Sequence, residues 1–144
     1  MSIRLSILLL VFVTSCSTPG GNGIGPCVHT YEDPVIHVNQ VTDLVKGQAI
    51  GAFKVTSALR DTFTVDAIIL KGYVAYNAVV FDSVLICNTP CGFGIDEGTY
   101  TLSISAPNYR DTTIVVQAKY AVFKGGCPSS NSGGTIVNFQ MQPQ

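Results

Sequence analysis

The sequence predicts an all-β domain, an antiparallel β-sandwich of seven or eight short strands. Three observations point there. Apolar residues recur at every second position in several stretches, and no stretch carries a convincing helical stripe. Turn-forming residues interrupt the chain at short, regular intervals, at Lys46-Gly47, Lys71-Gly72, Asn88-Thr89-Pro90, Glu97-Gly98 and Pro107-Asn108. Charged residues are only 12% of the chain and apolar residues 47%, so a well-buried core is within reach.

Along the chain, the first candidate strands are Pro34 to Thr42 and Ile50 to Ser57. Asp61 to Ile69 follows, with Phe63, Val65, Ala67 and Ile69 on one face and Thr62, Thr64, Asp66 and Ile68 on the other. Tyr73 to Cys87 reads as one strand or two. The run AIILKGYVAYNAVVFDSVLIC is apolar enough to raise a membrane-span reading, but Lys71, Asn77 and Asp82 oppose it. A charge near the centre of a spanning helix costs about 2.5–3.5 kcal/mol. Two strands joined near Lys71-Gly72, apolar on both faces, fit better. Thr99 to Ala106 alternates Tyr100, Leu102, Ile104 and Ala106 against Thr and Ser. Thr112 to Val122 comes next. Thr135 to Met141 closes the set, with Val137, Phe139 and Met141 on one face.

Ahead of the strands lies a segment of another kind. Arg4 and the apolar stretch Leu5 to Val13, broken only by Ser6, have the layout of an export signal helix. The run is too short for a permanent span, which needs about 20 residues. Val13-Thr14-Ser15-Cys16 resembles the lipobox of bacterial lipoproteins, in which the cysteine is acylated and becomes the mature N-terminus. That resemblance implies lipidation (palmitate among the acyl chains) at Cys16 and a hold on the bilayer. Each buried CH2 contributes about 0.8 kcal/mol, and several chains on one residue anchor firmly. Ser17 after the cysteine resembles the signal for export to a cell outer membrane. Residues 1–15 are thus expected to be a signal peptide and 16–33 a lipidated cysteine with a flexible tether. Residues 34–144 are the expected β-sandwich domain. Ser17 to Pro26, as a coil, spans roughly 17 Å.

Four cysteines remain in the mature chain, Cys27, Cys87, Cys91 and Cys127. In an exported chain they read as two disulfides, with three connectivities open. Cys27–Cys127 with Cys87–Cys91 is the pairing expected here. Fully extended, Cys87 and Cys91 would be roughly 13 Å apart, so their bridge requires a tight turn at Asn88-Thr89-Pro90. A zinc site from Cys87, Cys91, His29 and His37 matches no common structural spacing.

At GTYTLSISAPNYRDTTIVVQAKY the chain resembles the C-terminal half of carboxypeptidase regulatory-like domains, which share a transthyretin-like (prealbumin-like) sandwich. Gly98-Thr99-Tyr100 opens a strand after a turn. Ala106-Pro107-Asn108-Tyr109 matches the family's turn, with Asn108 where Gly is usual, a residue that also tolerates a left-handed backbone. VNQVTDLVKGQAIGAFKVT resembles the first two strands, with Asp43 and Gly47 in the connecting turn. Some relatives pair an early cysteine with one just before the final strand, as Cys27 and Cys127 would. The resemblance spans Pro34 to Pro143 and is weak between Thr62 and Ile95. It implies a non-catalytic module of the kind that accompanies peptidases, outer-membrane receptors and surface proteins.

Catalytic chemistry finds no foothold in the sequence. His29 and His37 stand outside any metallopeptidase motif, and no nucleophile elbow is present. His29 reads as a loop residue and His37 as facing solvent. Asp96-Glu97 directly precedes Gly98 and reads as turn chemistry. Arg60-Asp61-Thr62 and Arg110-Asp111-Thr112 read as two similar strand entrances. Loss of Arg4 leaves seven basic residues against nine acidic ones, a balance that argues against nucleic acid. No enzyme activity and no cofactor are expected. The chain reads as a structural or interaction lipoprotein of the bacterial envelope, partnered by the bilayer and by an envelope protein or polysaccharide. Its alternative is a glycan- or peptide-binding surface lipoprotein. The chain has no Trp, so a sugar platform would fall to Tyr31, Tyr73, Tyr76, Tyr109 or Tyr120. A row of exposed aromatics would favour that alternative, and a bare apolar patch on residues 68–86 would favour protein docking.

Overall fold

The computed structural model describes residues 26–144. The signal segment, Cys16 and most of the tether lie outside the described residues. The strands are β1 (His29–Tyr31), β2 (Ile36–Asp43), β3 (Ala52–Arg60), β4 (Phe63–Thr64), β5 (Tyr76–Phe81), β6 (Val84–Phe93), β7 (Gly98–Ser105), β8 (Thr112–Ala118), β9 (Val122–Lys124), β10 (Ser129–Ser132) and β11 (Thr135–Met141). One short helix, α1 (Ala67–Lys71), interrupts them. The all-β expectation holds: an antiparallel-rich sheet curls into a sandwich that approaches a barrel.

Eight strands form the large sheet, in the order β11-β2-β6-β3-β7-β8, with β4 added to β3 and β5 added to β6. Every pair is antiparallel except β11–β2, which runs parallel. β6 passes between two neighbourhoods. Leu85 to Asn88 pair with β3, whereas Cys91 to Phe93 pair with β2. Pro90 lies where one neighbour is exchanged for the other, a position at which its missing N–H disturbs neither ladder. The ends of the sheet approach each other through the Tyr109–Pro143 bridge and the Arg110 N–H donating to the Gln142 carbonyl at 2.9 Å.

Alternation decides what is buried. Tyr100, Leu102 and Ile104 of β7 all point inward, joined by Ile36, Val38, Phe53, Leu85, Phe93 and Met141. Phe53 meets Phe139 edge-to-face at 5.5 Å. Full burial of such a side chain contributes about 1.5–3 kcal/mol. The one buried charged residue, among those described, is Asp43. Its carboxylate accepts from the Val45 and Lys46 N–H groups, both at 2.8 Å, and from the Tyr109 hydroxyl at 3.1 Å. The turn after β2 is thereby pinned to the turn after β7. The Lys46 amide, chiefly, holds the Asp43 carboxyl below its ordinary value.

Three sequence expectations need correction. The strand expected over Asp61 to Ile69 is a two-residue β4 followed by α1. Asp66 caps the helix by accepting from the Ile68 and Ile69 N–H groups at 3.2 and 3.1 Å, and Gly72 ends it at φ 68°. Local capping thus overrides the strand preference of two isoleucines. The hairpin joint is not at Lys71-Gly72, which closes the helix. It is at Asp82-Ser83, both left-handed with φ 48° and 61°, in the manner of a type I′ turn between β5 and β6.

The third correction concerns cysteine. Cys27 and Cys127 are disulfide-bonded, with Cα atoms 5.0 Å apart. Cys87 and Cys91 are not bonded; both are buried free thiols. Between the Tyr76–Gly92 and Ala78–Cys87 pairs, β5 advances two residues and β6 five, so residues 88–91 bulge out of the ladder. The bulge brings the two thiols together as expected, but without a bond. The hydrogen bond to Cys91, reinforced by burial, pushes the Cys87 thiol far up from its ordinary value and keeps it neutral.

A second, smaller sheet has the order β1-β10-β9, with β1 parallel to β10. Residues 29–31 therefore belong to the fold, although they fall in the expected tether. The disulfide between Cys27 and Cys127 sits just ahead of β1 and of β10 and clamps their start.

Candidate functional site

Two surfaces stand out, on different elements. The first lies across the outer face of β11, β2, β6 and β5. Register places Ile136 opposite His37, His37 opposite Gly92, and Gly92 opposite Tyr76. Directly opposed residues share a face, so these four form one row. Gly92 has no side chain because the Tyr76 ring and Pro34 occupy the space where a Cβ would project. The phenol therefore passes over Gly92 and reaches His37, with Nδ1 and the hydroxyl oxygen 3.1 Å apart. Burial pushes the Tyr76 hydroxyl up from its ordinary value, so it remains a donor at neutral pH. When Nδ1 accepts that proton, the imidazole keeps its own on Nε2 as a second donor.

A shallow cleft opens over this row. It is lined by Asp33, His37, Asn39, Tyr76, Gly133, Gly134 and Ile136. The Asn39 amide donates to the Asn138 side-chain oxygen at 3.4 Å, and Asp33 accepts from the Gly133 N–H at 3.1 Å. The lining holds one carboxylate and no lysine or arginine.

Next to the cleft, the small sheet presents two chemically distinct faces. Register puts Tyr31, Asn131 and Phe123 on one face, with His29 and Ser129 beside them. Glu32, Ser130 and Lys124 lie on the other, where Ser130 donates to Glu32 at 2.7 Å and Lys124 pairs with it at 3.4 Å. The aromatic face continues without a gap. Phe123 and His29 are 6.2 Å apart, His29 and Tyr31 5.0 Å, and Tyr31 and Tyr73 6.2 Å, ring centre to ring centre. Phe123 and Tyr73 are 68% and 67% exposed. Tyr120 backs the strip at 5.6 Å from Tyr31. Its hydroxyl is spent on the Asp33 and Ile95 carbonyls, both at 3.1 Å, and burial pushes it well up from its ordinary value.

The second surface is apolar. Phe63 on β4, Ile68 and Ile69 on α1, and Val79 and Phe81 on β5 all point to solvent; Phe63, Ile68 and Phe81 are 73%, 75% and 65% exposed. α1 packs on β5, β6 and β3 and meets β5 on the side that carries Val80, so by alternation Val79 and Phe81 are exposed on the other side of that strand. Ala67 and Leu70 anchor the helix inward and leave its two isoleucines outside. Among the described residues β5 pairs only with β6, so its outer edge is free of them.

The residues singled out from the sequence are distributed as follows. Cys16 lies outside the described residues. Cys27 and Cys127 clamp the aromatic strip, while Cys87 and Cys91 are core thiols. His29 sits on β1 rather than in a loop and meets the Ser129 hydroxyl at 2.8 Å. His37 faces outward in the cleft. Asp96 pairs with Arg60 and thereby holds the guanidinium above its ordinary value, and Glu97 accepts from the Tyr120 N–H at 2.7 Å. These two acids are fully engaged in the turn. Tyr109 serves Asp43, which leaves Tyr31, Tyr73 and Tyr76 exposed or half-exposed at the surface. Sequence reasoning missed Asp33, Asn39 and Gly92. A glycine inside an apolar strand was the signal, since it marks a close approach.

Among the described residues, no group of three or more His, Cys, Asp or Glu could hold a metal ion. No helix among them is long and apolar enough to cross a membrane. No curated protein and no solved structure is significantly similar to the chain. Residues 74–123, from just ahead of β5 into β9 and about a third of the chain, match the family model of the PEGA domain, a β-rich domain of extracellular and lipoprotein-like proteins.

Proposed function

We propose that the chain is a non-catalytic interaction lipoprotein of the bacterial envelope, held on the outer membrane by acylated Cys16, that docks an envelope protein. The observation that carries this reading is the bare apolar side chains that flank the edge strand β5, Val79 and Phe81 on one side and Ile68 and Ile69 of α1 on the other. Large exposed apolar patches are uncommon on proteins that act alone and mark interaction sites. The free edge of β5 adds backbone donors and acceptors that a partner strand can pair with. The export-signal pattern, the Cys27–Cys127 disulfide and the PEGA similarity agree with an extracytoplasmic location. The finer assignment, a carboxypeptidase regulatory-like module, rests on the turn motifs around Asp43 and Asn108. Asn108 has the left-handed φ of 68° that its glycine-like position requires.

The test compares envelope membranes carrying the wild-type chain with those carrying Cys16→Ala and the double variant Ile68→Ser/Phe81→Ser. Cys16→Ala is expected to leave the membrane fraction. The double variant is expected to stay in it and lose a co-purifying partner that the wild type retains. Membrane retention of Cys16→Ala counts against the anchor, and an unchanged partner set counts against the docking surface.

A further inference from the structure

The cleft over β2 and β6 has a different chemistry from the docking patch. We propose that Asp33, His37, Asn39 and Tyr76 form a binding site for a neutral, hydroxyl-rich sugar of an envelope polysaccharide, and that the Tyr73–Tyr31–His29–Phe123 strip carries the adjoining sugars. Four features select that ligand class.

The groups converge on one opening and supply what a sugar hydroxyl needs. Asp33 accepts, Asn39 both donates and accepts, and the His37–Tyr76 pair adds imidazole and phenol at 3.1 Å from each other. The Tyr76 ring, seated over Gly92, offers an apolar face to the C–H side of a pyranose. This combination of a few placed polar groups with an aromatic wall is how small polar ligands are oriented in shallow sites.

Charge disfavours an acidic ligand. The cleft has the Asp33 carboxylate and no lysine or arginine in its lining, so a phosphate or uronate would meet repulsion with no lysine or arginine to offset it.

Backbone pairing excludes an extended peptide. His37 stands on a strand paired on both sides, to Ile136 and to Gly92, and Gly92 is paired to Tyr76 in turn. Strand addition needs an open edge, and the open edges near the cleft are the outer ones of β5 and β11, away from His37 and Gly92. A ligand lying over His37 and Gly92 meets side chains and no free ladder.

Length comes from the strip. Asp33 joins the cleft to the small sheet, two residues beyond Tyr31 and bonded to Gly133 at the end of β10. From there the rings follow at centre spacings of 5.0–6.2 Å, close to the length of one sugar residue. The Cys27–Cys127 clamp holds the strip in place.

The experiment applies the full-length lipidated chain, in a detergent without a sugar headgroup, to an array of neutral, N-acetylated and uronate-containing oligosaccharides of one to six residues. Extended and proline-rich peptides are included as competitors. Neutral or N-acetylated oligosaccharides are expected to bind, with affinity rising with length up to about four residues. Tyr76→Ala and Asp33→Asn are expected to weaken binding at least tenfold while the domain stays folded by circular dichroism. Tyr76→Phe is expected to weaken it less. Phe123→Ala is expected to abolish only the gain from length. Retention of no neutral glycan overturns the proposal, as does binding indifferent to Tyr76→Ala and Asp33→Asn, or a Tyr76-dependent peptide ligand. Ile68→Ser/Phe81→Ser is expected to bind the glycan normally, so failure of this site and failure of the docking surface are distinguishable.

Discussion

Replacing both Cys27 and Cys127 by serine tests how the small sheet is attached. The bond closes a loop at a sequence separation of 100. In the chain-entropy model a loop of that size restricts the unfolded chain by about 4.7 kcal/mol. The Cα atoms stand 5.0 Å apart, inside the usual range for a bridge. Without the bond, β1, β9 and β10 keep only short polar ladders and the aromatic contacts of Tyr31. The double variant should therefore lose about 3–5 kcal/mol. For a domain of this length, each kcal/mol moves the melting temperature by about 3–5 °C, which predicts a fall on the order of 15 °C. Urea unfolding followed by far-ultraviolet circular dichroism measures the free energy, and calorimetry the midpoint. A loss below about 1 kcal/mol would refute the reasoning, because it would show that the clamp constrains nothing the unfolded chain could otherwise explore.

Three further outcomes follow from the same coordinates. Maleimide labelling of the denatured, unreduced lipidated chain, in which Cys16 carries no free thiol, should count two thiols, Cys87 and Cys91, and labelling of the native lipidated chain none, since both are buried; a count of zero after denaturation would mean they are bridged. Asp43 is held below its ordinary value in the fold, so its stabilising effect is complete above the unfolded value near pH 4 and disappears as pH falls through the lower folded value. Asp43→Asn should be less stable at neutral pH and flatter in its acid limb below about pH 4, as read by melting temperature against pH; parallel curves would contradict this. Asp66→Ala should cost about 1 kcal/mol by removing the helix cap, measured by urea unfolding, and an unchanged midpoint would show that α1 is held by Ala67 and Leu70 alone.

The strands with clean alternation were legible because burial on one face imposes a period of two. β7 and β11 lie within a residue of their expected bounds, with Tyr100, Leu102, Ile104 and Met141 buried. Elsewhere local chemistry competed with the pattern. Asp66 and Gly72 bracket five residues that alternate well enough to pass for a strand, yet the cap and the left-handed glycine decide the matter. β1, β9 and β10 were invisible because Ser129 to Ser132 reads as loop. Their pairing depends on a disulfide between residues distant in the chain and on a parallel neighbour. The candidate sites were half legible. His37 facing outward could be read from alternation with Ile36 and Val38. Its meeting with Tyr76 over Gly92 requires the register of three strands, which no local pattern encodes.

The proposed docking of an envelope protein centres on Val79 and Phe81, the apolar side chains exposed on β5 beside its outer edge. A photo-crosslinking amino acid placed at Phe81 in the lipidated chain, and at exposed Gln117 on β8 as the control, tests it in intact cells. The account predicts a discrete adduct with another envelope protein at Phe81 and none at Gln117. No adduct at Phe81, or the same adducts at both positions, would contradict it.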